Sequence, residues 1–161
     1  MMHNFFRRPL NDPTIVTSKL YDQDTFFDMF LRDISRSRTD LVIESPFITT
    51  RRMNTLLPVL QKLRRRNVRV VINTRHPDEH EGAYKYQAEV TVEALQAIGV
   101  TVLYTAKHHR KLAIIDQTIL WEGSLNILSH NDSCEIMRRT SSPVLAMQMI
   151  QFIKIYKYLV R

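Results

Sequence analysis

Two pairs of side chains in the second half of the sequence carry groups that can act together: His109 with Lys111, and Ser124 with Asn126. Members of each pair are two residues apart. On an extended strand such positions share a face, so His109 and Lys111 are expected to point one way, and His108 and Arg110 the other. Asp116-Gln117 reads as a hairpin turn that brings the chain back, so that Ser124 and Asn126 can face the same point. The set suits a phosphodiester. A neutral imidazole is a nucleophile for phosphorus. Lys111 supplies a compact cation for a non-bridging oxygen. The Asn126 amide and the Ser124 hydroxyl can meet charge as it develops. A carboxylate such as Glu135 can hold the other ring nitrogen, fixing the tautomer and stabilising the imidazolium.

The rest of the chain must position these groups. Its 161 residues, 44% apolar and 24% charged, suit one globular domain with a real core. Only three glycines occur, at 82, 99 and 123, so no Gly-rich phosphate loop is present and side chains must hold any phosphate. The net charge of +7 favours a polyanionic partner, nucleic acid or an anionic lipid surface. Cys134 is the only cysteine, which excludes an intrachain disulfide and a Cys-based zinc site. No window approaches the ~20 apolar residues of a membrane span, and the first residues lack a signal-peptide pattern. A cytoplasmic protein is expected, without a membrane partner.

Residues 1–18, with Arg7-Arg8, Pro9 and Pro13, read as an N-terminal arm, and residues 19–161 as a single catalytic domain. Asp24 is the expected N-cap of a first helix carrying Phe26, Phe27, Phe30, Leu31 and Ile34 at helical spacing. Leu41-Val42-Ile43 is a short buried strand ended by Pro46. A second helix, capped by Thr49 or Thr50, has Pro58 inside its apolar stripe, so a kink or a late start is expected. Further strands are expected at 68–72, 100–104, 111–115 and 118–121, with a last one starting at 135–137. A third helix spans 87–98 and ends at Gly99. A final helix opens at Pro143 and is expected to turn Val144, Leu145, Met149, Phe152, Ile153 and Tyr156 inward. Early strands and helices alternate while later strands lie close together. The expected fold is therefore α/β, a layered α/β/α sandwich with a mixed, partly parallel sheet.

The stretch His109-x-Lys111-x4-Asp116-x6-Gly123-Ser124-x-Asn126 resembles the HKD signature of the phospholipase D superfamily at every defining position. The surrounding order, from Leu41 to Asn73 and through Leu95–Val100 to the motif, is similar too. The likeness covers roughly residues 20 to 160. It implies a phospholipase D-like fold and His109 as the nucleophile of a covalent phosphohistidine intermediate. Lys111 and Asn126 would bind the phosphate with Ser124 beside them, and neither metal nor cofactor would be needed. Asp116 is mainly structural or electrostatic in that family. Glu135 occupies about the place of the acidic residue that orients the nucleophilic histidine in the single-motif nucleases. The family's site uses two HKD motifs and this chain has one, so the resemblance implies a homodimer through the active-site face. Similar domains occur appended to helicases and other ATPases, which makes such a motor a candidate partner.

Plainer readings stand beside these. Asp116 suits an ordinary hairpin turn, and Glu135 a strand end. His76-x3-His80 with Asp78, Glu79 and Glu81 has metal-ligand residue types but reads better as a solvated loop. Arg51 and Arg52 follow the end of a parallel strand, where α/β sites lie, and are candidate nucleic-acid contacts together with Arg138. The sequence thus points to a metal-independent nuclease. A phospholipid hydrolase or transphosphatidylase, for example one acting on cardiolipin, is the alternative. A catalytically silent nucleic-acid-binding module is a second alternative.

Overall fold

The apolar runs of the sequence make the interior strands of a sheet. Every residue of Asp40–Glu44 is buried, because this strand has neighbours on both edges and layers on both faces. The computed structural model describes residues 17–130 and 132–160, so the features expected of residues 1–16 lie outside the described residues. In chain order the elements are β1 (Thr17–Asp22), α1 (Phe26–Ser35), β2 (Asp40–Glu44), α2 (Thr50–Arg65), β3 (Arg69–Thr74), α3 (Gly82–Ala97), β4 (Thr101–Tyr104), β5 (Leu112–Ile115), β6 (Ile119–Gly123), β7 (Ile136–Ser141) and α4 (Pro143–Phe152).

The strands form one seven-stranded mixed sheet in the order β1-β7-β6-β5-β2-β3-β4. β2, β3 and β4 are parallel, joined through α2 and α3, and every other pairing is antiparallel. The register pairs Glu44 with Leu112, Leu112 with Glu122, Gly123 with Met137 and Asp22 with Ile136. One edge of the sheet, here the upper edge, therefore collects the ends of β1, β2, β3, β4 and β6 with the beginnings of β5 and β7.

Alternation along the strands splits the apolar residues between two cores. Leu41, Ile43, Val70, Ile72, Ala113, Trp121 and Met137 pack under α1, α2 and α3. Val42, Val71, Leu112, Ile114 and Leu120 pack under Ala146 and Ile150 of α4 and under Ile155 and Leu159. The layered α/β/α expectation matches this arrangement. At the end of β6, a Cβ on Gly123 would lie 2.1 Å from the Ile136 carbonyl oxygen, so only glycine lets β6 and β7 approach this closely.

Several boundaries differ from the sequence reading. Thr17 and Ser18, assigned to the arm, begin β1, an edge strand whose residues are exposed except Tyr21 and which thus lacks an alternating signal. α1 is capped differently: Asp22 accepts hydrogen bonds from the Asp24 and Thr25 backbone N–H groups, and Thr25, not Asp24, stands at the N-cap position. α3 starts at Gly82 because its first turns expose Tyr84 and Tyr86 and carry no apolar stripe. α2 begins at Thr50 and runs through Pro58, which lies on its exposed side. In α4, Val144 and Phe152 face solvent, as does Tyr156 beyond it, while Ala146 and Ile150 are buried. That helix is apolar nearly all round, so spacing alone did not select its inner face.

The β5–β6 turn is built on Asp116 and Gln117, both at positive φ (50° and 55°). The Asp116 carboxylate accepts hydrogen bonds from Ser37 Oγ (2.9 Å), Thr39 Oγ1 (3.0 Å) and the backbone N–H groups of Arg38, Thr39 and Asp40 (3.0, 2.9 and 3.2 Å). Burial pushes this carboxyl up, but the bonds from Thr39, Ser37, Arg38 and Asp40 outweigh burial and hold it below its ordinary value. Asp116 thus ties the turn to the connection between α1 and β2, at the lower edge of the sheet. With about 3.3 Å per strand residue it stands roughly 16 Å from Lys111. This geometry gives it a structural part and no direct part in chemistry at His109. Asp116→Asn is expected to cost about 2 kcal/mol of unfolding free energy at neutral pH. A carboxyl lowered on folding stabilises above its unfolded value of 3.8 and loses that contribution as pH falls through the folded value. The gap between wild-type and variant melting temperatures should therefore close below about pH 4.

Candidate active site

Upper-edge residues meet around a buried charge. Glu44, the last residue of β2, is fully buried. Its carboxylate accepts hydrogen bonds from Arg110 Nε (2.5 Å), Arg110 Nη2 (3.0 Å) and Asn73 Nδ2 (2.8 Å). Thr105 Oγ1 donates to Asn73 Oδ1 (3.0 Å), and Arg75 Nε donates to the His108 carbonyl (2.7 Å). The buried His108 ring lies 3.9 Å from Glu44. Burial pushes this imidazole toward its neutral form, against the pull of Glu44. This network sits beneath the segment that carries His109, and composition and spacing did not reveal it. The available signal was a glutamate closing an otherwise apolar strand, Leu41-Val42-Ile43-Glu44.

His109 and Lys111 do point the same way, but not as residues of a strand. β5 begins at Leu112, and residues 105–111 form the loop before it. The His108 ring is buried and Arg110, itself partly exposed, reaches back to Glu44, which leaves His109 exposed between them. Lys111 Nζ donates to the His109 carbonyl (2.7 Å) and stands 3.2 Å from Nδ1 of the ring. Burial lowers the affinity of Lys111 for its proton, Glu135 opposes this, and Arg75 adds to it. A partly desolvated ammonium beside an imidazole is well placed to meet an incoming anion.

On the neighbouring strand, Ser124 follows Gly123 at the end of β6, and the Gly123 N–H donates to the Lys111 carbonyl (3.3 Å). Its hydroxyl donates to Glu135 and accepts from the Ile136 backbone N–H (3.0 Å). The second Glu135 oxygen accepts from Ser133 Oγ (2.6 Å). Glu135 is thus bonded to two serines, and its charge reaches Lys111. The expected hydrogen bond from Glu135 to His109 is not formed among the described residues. Asn126 lines a cavity of about 330 Å³ with Gln23, Asp24, Arg52, Ser129 and Glu135. Asn126 Oδ1 is buried without a partner among the described residues. His109 and Lys111 stand beside this cavity rather than in its wall.

The three arginines separate. Arg52 lies in the cavity wall, stacked 3.7 Å over the Phe27 ring. Burial, reinforced by Arg51, pulls its guanidinium down to about 10. Arg51 is exposed at the start of α2. Arg138 bonds Ser18 of β1 (2.9 Å) and shares its face of the sheet with Glu122, away from the cavity. The histidines weighed as metal ligands serve locally: His76 Nδ1 accepts from the Asp78 backbone, and His80 is buried against Phe47. Among the described residues no three metal-ligating side chains converge, and no helix is long and apolar enough to cross a membrane.

Residues 30–155 match the family model described as cardiolipin synthase, PLD-like domain. No curated protein sequence matches. Among solved structures, Nuc from Salmonella typhimurium, a phospholipase D family member, superimposes with a TM-score of 0.71 at 16% identity, over 90% of this chain and 96% of that one. NucT from Helicobacter pylori gives 0.71 at 20% identity, over 89% and 98%. The archaeal chromatin protein TrmBL2 gives 0.62 at 8% identity, over 86% of this chain and 51% of its own.

The Glu44 network generates a direct expectation. Glu44→Gln keeps the shape of the side chain but removes the charge that clasps Arg110. It should lower the unfolding free energy by about 1–3 kcal/mol in a urea titration, since Arg110 is partly exposed and can turn to water.

Proposed function

The chain belongs to the phospholipase D-like family of phosphodiesterases, and on that premise we propose that it is a nuclease working without a metal ion through a phosphohistidine intermediate. The observation that carries this reading is the pairing of the exposed His109 ring with Lys111 Nζ at 3.2 Å, opposite Ser124, Asn126 and Glu135. In the first step His109 attacks phosphorus and the bond to the leaving oxygen breaks. That oxygen takes a proton from an imidazolium. In the second step water attacks the phosphohistidine and returns the proton to that imidazole, releasing the phosphate end and His109. Lys111 and Asn126 hold the non-bridging oxygens while charge builds on them.

One chain supplies one such histidine. A homodimer across the upper edge would supply the acid as the partner's His109, one ring neutral and the other protonated. The net charge of +7 and the cation Arg52 in the cavity wall support a polyanionic substrate over a neutral one. Phospholipid is the second reading, favoured by the description of the matching family model. The catalytic side chains would serve it equally, because they read only the phosphate.

Oligonucleotides and phospholipid vesicles assayed in parallel with EDTA separate the readings. The nuclease reading expects oligonucleotide cleavage that survives chelation. It also expects a loss of about 10³-fold or more in His109→Ala, with the dimer intact by sedimentation. Abolition of cleavage by EDTA would sink the metal-free mechanism, and turnover of vesicles alone would favour the lipid reading. A phosphoenzyme trapped by alkaline denaturation in wild type, stable to base and labile to acid as a phosphorus–nitrogen bond is, should be missing in His109→Ala.

A further inference from the structure

Beyond the phosphate site, the upper edge carries an aromatic cluster that neither core uses. Phe47 follows the end of β2, and Arg75 follows the end of the parallel neighbour β3. Strand pairing brings them together, with the Arg75 guanidinium 5.3 Å from the Phe47 ring centroid. The His80 and Tyr84 rings lie 5.2 and 5.7 Å from the same ring. Phe47 is only half-buried, and Tyr84 is 48% exposed. Neither ring belongs to the packed cores on the two faces of the sheet. The cluster also touches the catalytic loop: the Arg75 side chain that lies over Phe47 donates to the carbonyl of His108, the residue before His109.

A phosphate has no use for this surface, but a flat π-system does. Aromatic rings backed by a guanidinium stack on any base, whatever its identity, because every base has a π-face. Of the adjacent acids, Asp78 is paired with Lys85 (2.8 Å) and Glu79 is turned to the Lys107 backbone N–H. A glycerolipid headgroup offers no such face.

We propose that Phe47, Tyr84 and Arg75 form a subsite that stacks an unpaired nucleobase flanking the phosphodiester held at His109 and Lys111. The assignment rests on the nuclease reading and narrows it to strands whose bases are free to leave the helix stack.

The test compares two single-stranded DNA oligonucleotides of equal length and charge, one of thymidines and one in which stable abasic residues replace every nucleoside. Wild type should prefer the thymidine strand by about tenfold in kcat/KM. In Tyr84→Ala that ratio should fall toward one, with the melting temperature unchanged because the ring is half exposed. Tyr84→Trp should keep the preference. Equal cleavage of both strands by wild type would overturn the subsite and leave the nuclease reading standing. An undiminished ratio in Tyr84→Ala would overturn the assignment to this cluster. If wild type cuts neither strand, the nuclease reading fails and the subsite fails with it.

Discussion

Glu44 ends the interior strand β2 with a carboxylate removed from water, and the upper edge of the sheet is organised around matching that charge. A buried carboxylate is costly unless it is both paired and hydrogen-bonded. Arg110 supplies the pair with two bonds, and Asn73 from the neighbouring strand supplies another. Once Arg110 is clasped and the His108 carbonyl is held by Arg75, the residue between them has one direction left, outward. The exposure of His109 therefore follows from the anchoring of its two neighbours rather than from strand pleating. Lys111 is brought against the same ring by its own bond to the His109 carbonyl.

The two edges of the sheet divide the work. At the lower edge Asp116 gathers backbone and hydroxyl donors from residues 37–40 and closes the β5–β6 turn onto the start of β2. At the upper edge, above the buried Glu44, His109 is exposed, Lys111 is only partly buried and Asn126 Oδ1 lacks a partner among the described residues. An aspartate that completes its hydrogen bonds within the protein stabilises, whereas groups left incomplete are available to a ligand. Both ends of the stretch from Lys111 to Asp116 are explained by this division, although they lie roughly 16 Å apart along β5.

Much of the fold could be read from apolar patterning, because β2, β3, β5 and the inner stripes of α1 and α2 are buried runs or helical repeats. Elements with little buried surface escaped it. β1 buries only Tyr21, and the first turns of α3 carry exposed tyrosines. The inner face of α4 is legible only in part because apolar residues surround that helix: Leu145, Met149 and Ile153 do pack against the core, while contact with Leu120, Ile114 and Val42 selects Ala146 and Ile150 for full burial.

Taken alone, the order of residues identified the chemical groups at the site, His109, Lys111, Ser124 and Asn126, because their types and short spacings are local properties of the chain. It also foretold a mixed sheet, since alternation and connection length are local as well. What lay beyond it were the matches between distant segments. Glu44 and Arg110 are 66 positions apart, and Phe47 meets Arg75 only because β2 and β3 lie side by side. Likewise, Glu135 bonds Ser124 rather than His109 because β6 ends, at Gly123, where β7 begins. Charge pairing and ring stacking act through space over a few ångströms, so their partners are chosen by strand order and register, which no local spacing encodes.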